Sequence, residues 1–149
     1  MKRVMLSLLA IFFGVLLFSY HARATTVDFK NVYFKESLPK RGDTLSGSAV
    51  MFDQYAVDAM QANKSTYLTL KSSSKLRIVG YTDNAECSAS ACDSLSLRRA
   101  RLVCDWLLAH GFPARRLLPP EGHGAKDAID TNDTPDGRQR NRRVEFQVN

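Results

Sequence analysis

Histidine is scarce in this chain of 149 residues, which contains only three. His21 lies in an N-terminal apolar region, and His110 ends a predicted helix, where a histidine interacts favourably with the helix dipole. His123 has no carboxylate or serine partner at a recognisable spacing, and the G-x-S-x-G, H-E-x-x-H and P-loop patterns are absent. The sequence therefore gives no indication of an enzyme.

Metal-binding patterns are also missing. The three cysteines, Cys87, Cys92 and Cys104, lack the second C-x-x-C or the H-x-x-x-H pattern that would complete a zinc site. The acidic segment 127–137 does not place its carboxylates at the positions of an EF-hand loop. We therefore expect neither a metal nor a cofactor.

A strong charge of one sign is lacking once the first residues are set aside. Residues 1–24 combine a basic start, an apolar run over 4–18 and an Ala-Arg-Ala ending, which is typical of a cleaved secretory signal peptide. An uncleaved anchor is the alternative, but the run is shorter than the roughly 20 residues that span a membrane. Cleavage removes three of the six net positive charges, which leaves about +3. We therefore predict no nucleic-acid partner.

An exported chain meets an oxidising compartment, where cysteines form disulfides. Cys87 and Cys92 lie close together in a polar stretch and could close a small loop. Cys104 lies in an apolar helical pattern, which predicts a buried free thiol. We favour a disulfide between Cys87 and Cys92.

Strand and helix patterns alternate along the chain, without internal repeats or low-complexity linkers. The predicted strands cover residues 25–34, 48–55, 75–81, 115–124 and 142–148, and the predicted helices cover 58–71 and 94–110, with one helical turn within 132–140. Strands separated by helices predict an α/β two-layer sandwich with helices packed on one face of the sheet.

The segment 94–113 gives the strongest helical pattern. Asp93 or Ser94 can cap its start, Gly111 suits the position after its end, and Pro113 bars continuation. The predicted apolar stripe consists of Leu95 or Ser96, Ala100, Val103, Cys104, Leu107 and Leu108. In the helix at 58–71 the corresponding positions are Met60, Lys64, Tyr67 and Leu68.

Two charged residues stand out as a candidate binding pair. Asp83 follows the strand at 75–81, and Arg99 lies near the start of the next helix, so both can meet at the carboxyl edge of the sheet. Together they suit a zwitterion, with an ammonium at Asp83 and a carboxylate at Arg99 and at the helix N-terminus. The alternative is that Asp83 and Arg99 simply pair with each other.

Four stretches resemble the OmpA C-terminal-like family, the domain shared with the peptidoglycan-associated lipoprotein and flagellar stator proteins. They are "VMFDQY", "RIVGYTD", "LSLRRARLVCDWLLAHG" and "NDTPDGRQRNRRVEF". The last is long and specific. The resemblance implies a βαβαββ-type domain over residues 48–149, with a mixed sheet, preceded by an extension at 25–47. It also implies non-covalent binding of bacterial peptidoglycan through the diaminopimelate of its stem peptide.

The resemblance assigns site residues as well. It implies that Asp83 takes the ammonium of diaminopimelate and that Arg99 takes its carboxylate. The further ligand-binding positions that it implies are Thr82, Phe52, Asp53, Tyr55, Cys92 and Asn141. The arginines of the last stretch, Arg138, Arg142 and Arg143, would mainly hold the loop and the final strand, with a lesser role in attracting the anionic glycan.

The loop after Asp83 departs from the family pattern. It lacks the usual glycine in "TDNAEC", and Cys92 replaces an asparagine that often helps to bind the ligand. Either the Cys87–Cys92 crosslink restores the loop shape, or ligand binding has weakened or been lost. In the second case the domain would be a protein-interaction subunit of an envelope assembly, docking through residues 25–47. Both readings place the protein in the periplasm, in association with the wall or with a Gram-negative outer membrane.

Overall fold

The computed structural model describes residues 28–50 and 54–149. The predicted signal peptide at 1–24 and two candidate site residues, Phe52 and Asp53, lie outside these ranges. Within the described ranges, no helix has the length and apolar character needed to cross a membrane.

The described chain forms one four-stranded sheet and four α-helices. In chain order the elements are β1 (Val32–Tyr33), α1 (Leu45–Ser48), α2 (Gln54–Leu68), β2 (Leu76–Gly80), α3 (Ala89–Ala109), β3 (Glu121–Gly122), α4 (Pro135–Asn141) and β4 (Arg143–Val148). The strand order in the sheet is β1-β4-β2-β3. Strand β4 pairs antiparallel with β1 and β2, whereas β3 runs parallel to β2. The predicted class, a mixed sheet with packed helices, is confirmed.

The two central strands show why the sheet has one packed face. Ile78 of β2 is paired with Phe146 of β4, and both side chains are buried. Their neighbours Glu145 and Gln147 point to the other face and are partly exposed. Burying each large apolar side chain contributes about 1.5–3 kcal/mol, so this alternation fixes which face the helices cover.

The predicted extension takes part in the same core. Val32 of β1 pairs with Val144, and the next residue but one, Phe34, is fully buried. The core cluster includes Val32, Phe34, Leu45, Met60, Tyr67, Leu76, Ile78, Val103, Leu107, Val144 and Phe146. Residues 32–34 are therefore an edge of the domain's sheet.

Helix α3 begins five residues before the predicted start. Its N-cap is Ser88. The sequence did not reveal this start, because the polar segment after Ser88 is helical but has no apolar periodicity. The C-terminus follows the prediction: Gly111 has a φ of 81°, and its N–H donates to the Leu108 carbonyl at 3.1 Å. The N–H of the buried Phe112 donates to the Leu107 carbonyl at 2.9 Å, which completes a Schellman cap.

Several local predictions were wrong. The described residues of the expected strand at 48–55 form no strand: Ser48 ends α1, Ala49 forms a single bridge with Phe34, and Gln54 begins α2. A short apolar run cannot be distinguished from a helix end by periodicity alone. The region predicted as a strand at 115–124 retains only the two residues of β3. Helix α2 overlaps the predicted helix at 58–71 but starts four residues earlier and ends three residues earlier.

Two residues predicted to face the core are instead exposed. Leu68 has 44% of its surface exposed and Leu108 has 43%. Each directly follows a fully buried residue, Tyr67 and Leu107 respectively, so each is turned by about 100° around the helix from the core.

Candidate functional site

Arg99 is fully buried in α3, and each of its five N–H groups has an acceptor. Nε donates to the Leu38 carbonyl at 2.8 Å, Nη1 to the Tyr81 carbonyl at 2.9 Å, and Nη2 to the Lys35 carbonyl at 3.2 Å. The remaining two bonds go to Glu86, from Nη1 to Oε1 at 2.6 Å and from Nη2 to Oε2 at 2.7 Å. The guanidinium thus holds a carboxylate in a bidentate pair.

Burial lowers the pKa of the Arg99 guanidinium from its ordinary value, while the hydrogen bond and the charge of Glu86 act in the opposite direction. A buried charge without a partner is strongly destabilising. The Glu86 carboxylate is therefore the group that makes a charged arginine tolerable at this position.

Glu86 was not identified from the sequence. Its side chain is fully buried against Arg99, and its carboxylate also accepts the N–H groups of Ser37 at 2.7 Å and Asp83 at 3.3 Å. The one signal available was its place in "TDNAEC", the loop that departs from the family pattern. Spacing alone could not show that this acid turns back toward α3.

Asp83 lies directly after β2 and is 1% exposed. Its Oδ1 accepts the N–H groups of Ala85 at 2.7 Å and Glu86 at 2.8 Å, which folds the loop back on itself. Its Oδ2 accepts from Nη1 of Arg142 at 2.6 Å. Both carboxylate oxygens are therefore occupied by groups of the protein.

Arg142, which links α4 to β4, closes the cluster. Its Nε donates to the Phe34 carbonyl at 3.2 Å, and its Nη2 donates to Oε1 of Gln139 at 2.7 Å. The result is a buried quartet of two acids and two bases: Asp83, Glu86, Arg99 and Arg142. We call it the charge quartet.

The geometry excludes one of the two expectations for Asp83 and Arg99, their pairing with each other. The structure brings both residues into the charge quartet, yet each pairs with a different partner, so their simple mutual pairing is wrong. The backbone N–H groups beside the Arg99-bound carboxylate belong to Ser37 and Asp83. The expected donors at the N-terminus of α3 are not the groups that bind there, because α3 begins at Ala89, well before Arg99.

The disulfide lies next to the charge quartet. It joins Cys87 to Cys92, with their Cα atoms 5.2 Å apart, and so ties the residue after Glu86 to the first turn of α3. Cys104 is free and buried, and burial raises the pKa of its thiol to about 12. Cys104 therefore stays protonated near neutral pH.

A cleft of about 380 Å³ lies beside the disulfide. Its lining consists of Asn84, Cys87, Ala89, Cys92, Asp93, His123, Ala125 and Lys126. Among the described residues, no group of three or more histidine, cysteine, aspartate or glutamate side chains could hold a metal ion.

The other predicted site residues have different surroundings. Thr82 is buried, its N–H donates to the Gly124 carbonyl at 2.8 Å, and its hydroxyl has no hydrogen-bond partner among the residues that the structure describes. Asn141 is fully buried and holds the preceding loop: its Oδ1 accepts the N–H groups of Ile129 at 2.9 Å and Asp130 at 3.0 Å. Tyr55 lies in the first turn of α2.

The remaining arginines of the last stretch mainly hold structure. Arg143 is 1% exposed, and its Cζ lies 3.9 Å from the centroid of the Tyr81 ring. Its Nη2 donates to the Asp127 carbonyl at 2.9 Å. Arg138 donates to the Asn132 carbonyl at 2.8 Å. These contacts agree with the predicted scaffold role.

Solved structures share the fold. The C-terminal domain of Helicobacter pylori MotB aligns with a TM-score of 0.65 and 18% identity, over 82% of this chain and 85% of that domain. The cell wall anchor of the T6SS from Pseudomonas aeruginosa aligns with a TM-score of 0.54 and 25% identity, over 74% of this chain and 73% of that one.

Similar sequences include the peptidoglycan-binding protein ArfA of Mycobacterium tuberculosis and of Mycobacterium bovis. Each is 41% identical over 75 residues, which cover 50% of this chain. The chain matches only 22% of the length of these relatives.

The family model described as the OmpA family matches residues 52–142. This range includes β2, α3 and α4, together with all four members of the charge quartet. It also covers more than half of the chain. The chain is a member of the OmpA family.

Proposed function

We propose that this domain binds bacterial peptidoglycan non-covalently and thereby anchors an envelope component to the cell wall, without catalysing a reaction. Family membership supports this, as do two similar proteins: ArfA is a peptidoglycan-binding protein, and the Pseudomonas aeruginosa protein is a cell wall anchor. The predicted signal peptide at 1–24 would deliver the domain at 48–149 to the periplasm, where the wall is accessible.

The ligand group that we propose is the zwitterionic end of diaminopimelate, with its ammonium at Asp83 and its carboxylate at Arg99. The observation that carries this is the bidentate pair between Arg99 and the carboxylate of Glu86, at 2.6 and 2.7 Å. The N–H groups of Ser37 and Asp83 add two donors to the same carboxylate. Charge-assisted pairs of this kind can contribute a few kcal/mol toward the roughly 8 kcal/mol binding free energy of a micromolar complex.

Co-sedimentation with purified diaminopimelate-type sacculi tests the proposal. We compare the wild type with Arg99→Lys, which keeps the positive charge but loses the planar fork. Arg101→Lys is the matched control, because Arg101 is exposed on the same helix. We expect the wild type and Arg101→Lys to pellet, and folded Arg99→Lys to stay largely in solution. Equal pelleting of all three would overturn the proposed site.

A second function is favoured by one observation, the internal pairing of the charge quartet, which leaves both candidate ligand groups occupied. In that case the domain is a protein-interaction subunit of an envelope assembly. Val32 and Phe34 are buried, so docking through the extension would use its exposed residues at 35–37 and 40–42. Failure of the wild type to pellet, together with a specific crosslink from this segment to an envelope protein, would favour this function.

A further inference from the structure

Glu86 occupies the place on Arg99 that the proposed function assigns to the carboxylate of the ligand. We propose that Glu86 is an intramolecular competitor of the wall ligand, so that it sets the affinity of the site and must leave Arg99 before diaminopimelate binds. This inference rests on the proposed function and extends it to the control of the same site.

Every N–H group of Arg99 already has an acceptor. Two of its five N–H groups go to Glu86, and the other three go to the carbonyls of Leu38, Tyr81 and Lys35. No N–H donor of Arg99 is left for an incoming carboxylate. The three carbonyls belong to the backbone of the sheet edge and of the adjacent loop, so Glu86 is the partner that can be exchanged with least change in the fold.

The loop holds Glu86 in place from both sides. The N–H of Glu86 donates to Oδ1 of Asp83 at 2.8 Å, and Cys87 is tied to Cys92 by the disulfide. A tethered group competes at the effective concentration that its tether imposes, which is in the millimolar range for short flexible tethers. A free carboxylate at micromolar concentration cannot displace Glu86 unless it gains further contacts.

Such contacts require a ligand with more than a carboxylate. A zwitterion offers its ammonium at the same time to Oδ1 of Asp83, which loses the Glu86 N–H when Glu86 leaves, whereas a simple carboxylate offers nothing there. Competition by Glu86 therefore lowers the affinity for every carboxylate ligand. A carboxylate without an ammonium has no second contact to offset this loss, so its binding becomes too weak to matter. The apparent dissociation constant is raised by the inverse of the fraction of molecules in which Arg99 is open.

Calorimetric titration with meso-diaminopimelate tests the inference. The variants are Glu86→Ala and Glu86→Gln, and the matched control is Glu36→Ala, because Glu36 is an exposed glutamate beside Ser37. We expect Glu86→Ala to bind about tenfold more tightly than the wild type, or better, since its Arg99 is open in every molecule. We expect Glu86→Gln to lie between them, because the amide keeps only one acceptor oxygen, and Glu36→Ala to match the wild type.

A thermal melt separates competition from a purely structural role. Glu86→Ala leaves Arg99 buried without its anion, so it should melt below the wild type, and saturating meso-diaminopimelate should raise its melting temperature more than that of the wild type. Glu86→Gln, which preserves the side-chain shape, serves for the same comparison if Glu86→Ala does not fold. A purely structural role predicts no larger rise.

The outcomes distinguish this inference from the proposed function. Folded Glu86 variants that bind no more tightly than a wild type that does bind would overturn the inference and leave the proposed function standing. Binding by Glu86→Ala but not by the wild type would support the inference and overturn constitutive wall binding. Binding by neither protein would overturn both.

Discussion

At the scale of single residues, Arg99 has two roles that are hard to separate. Its guanidinium is the proposed carboxylate receptor, and it also joins α3 to the carbonyls of Lys35, Leu38 and Tyr81. From the sequence alone, replacing Arg99 by alanine would be expected to abolish ligand binding and leave the fold intact. The complete burial of the Arg99–Glu86 pair changes that expectation.

Arg99→Ala should lower the free energy of unfolding by about 3–5 kcal/mol, because it leaves the Glu86 carboxylate buried without a counterion. Urea denaturation measures the loss. Arg101→Ala is the control on the same helix, and because Arg101 is exposed, its effect should stay within about 0.5 kcal/mol. An Arg99→Ala protein as stable as Arg101→Ala would show that the charge quartet is not formed as described.

Two of the charged site residues could be predicted from the sequence, and a third could not. Asp83 and Arg99 could be selected because they follow a strand and enter a helix within a family motif. Glu86 could not, because its partners Ser37 and Arg99 lie 49 and 13 residues away along the chain. Which loop acid reaches a buried arginine depends on loop geometry, and neither composition nor periodicity encodes that directly.

At the scale of elements, the charge quartet depends on how closely α3 approaches the sheet. Gly80 ends β2 beneath this helix, and a Cβ at this position would lie 2.0 Å from the carbonyl oxygen of Ser96. Backbone atoms cannot yield to such a contact without moving the helix, and Arg99 would move with it.

Gly80→Ala should therefore destabilise the domain by about 1–3 kcal/mol or more, as overpacking in a core does. Gly47→Ala is a matched control, because its Cβ would meet only the Thr44 hydroxyl, at an ordinary 3.5 Å. Thermal melts measure the melting temperatures of the two variants, and we expect that of Gly80→Ala to be lower. Similar melting temperatures would contradict the described contact between α3 and β2.

The disulfide acts on the loop that carries Glu86. Removing it in the double variant Cys87→Ser/Cys92→Ser should cost about 2 kcal/mol, from the loop-entropy relation for so short a loop. Because the loosened loop holds Glu86 less firmly, the double variant should also bind meso-diaminopimelate more tightly than the wild type. Calorimetry on both proteins, with and without reductant, measures this, and the double variant should not respond to reductant. Weaker binding would instead mean that the crosslink shapes the site for its ligand.

Elements with strong periodicity were predicted well, and weakly patterned ones were not. The body and the C-terminal cap of α3 follow from its apolar spacing and from Gly111. Its first turn, after Ser88, and the described residues of the region 48–55 have no such pattern, so their boundaries or types were wrong. The physical reason is that tertiary contacts, here the disulfide and the bridge to Phe34, decide the conformation of segments with weak local preferences.

At the scale of the whole molecule, the domain combines a mixed sheet with a neutral buried charge quartet. The fold class could be predicted because alternating strands and helices and the family motif agree. The role of β1 could not, since a two-residue edge strand carries little pattern of its own. The functional consequence is that recognition would depend on a specific buried pair more than on net charge, which is about +3 after loss of the predicted leader.

A comparison of two wall types tests whether Arg99 recognises the second carboxylate of diaminopimelate. Lysine in a stem peptide has an ammonium but lacks the second carboxylate of diaminopimelate, so it offers Arg99 nothing to replace Glu86. The measurement is co-sedimentation of the wild-type protein with diaminopimelate-type and lysine-type sacculi side by side, at equal wall mass and ionic strength. We expect pelleting with the diaminopimelate-type wall and little with the lysine-type wall. Equal pelleting with both walls, or pelleting with neither, would contradict it.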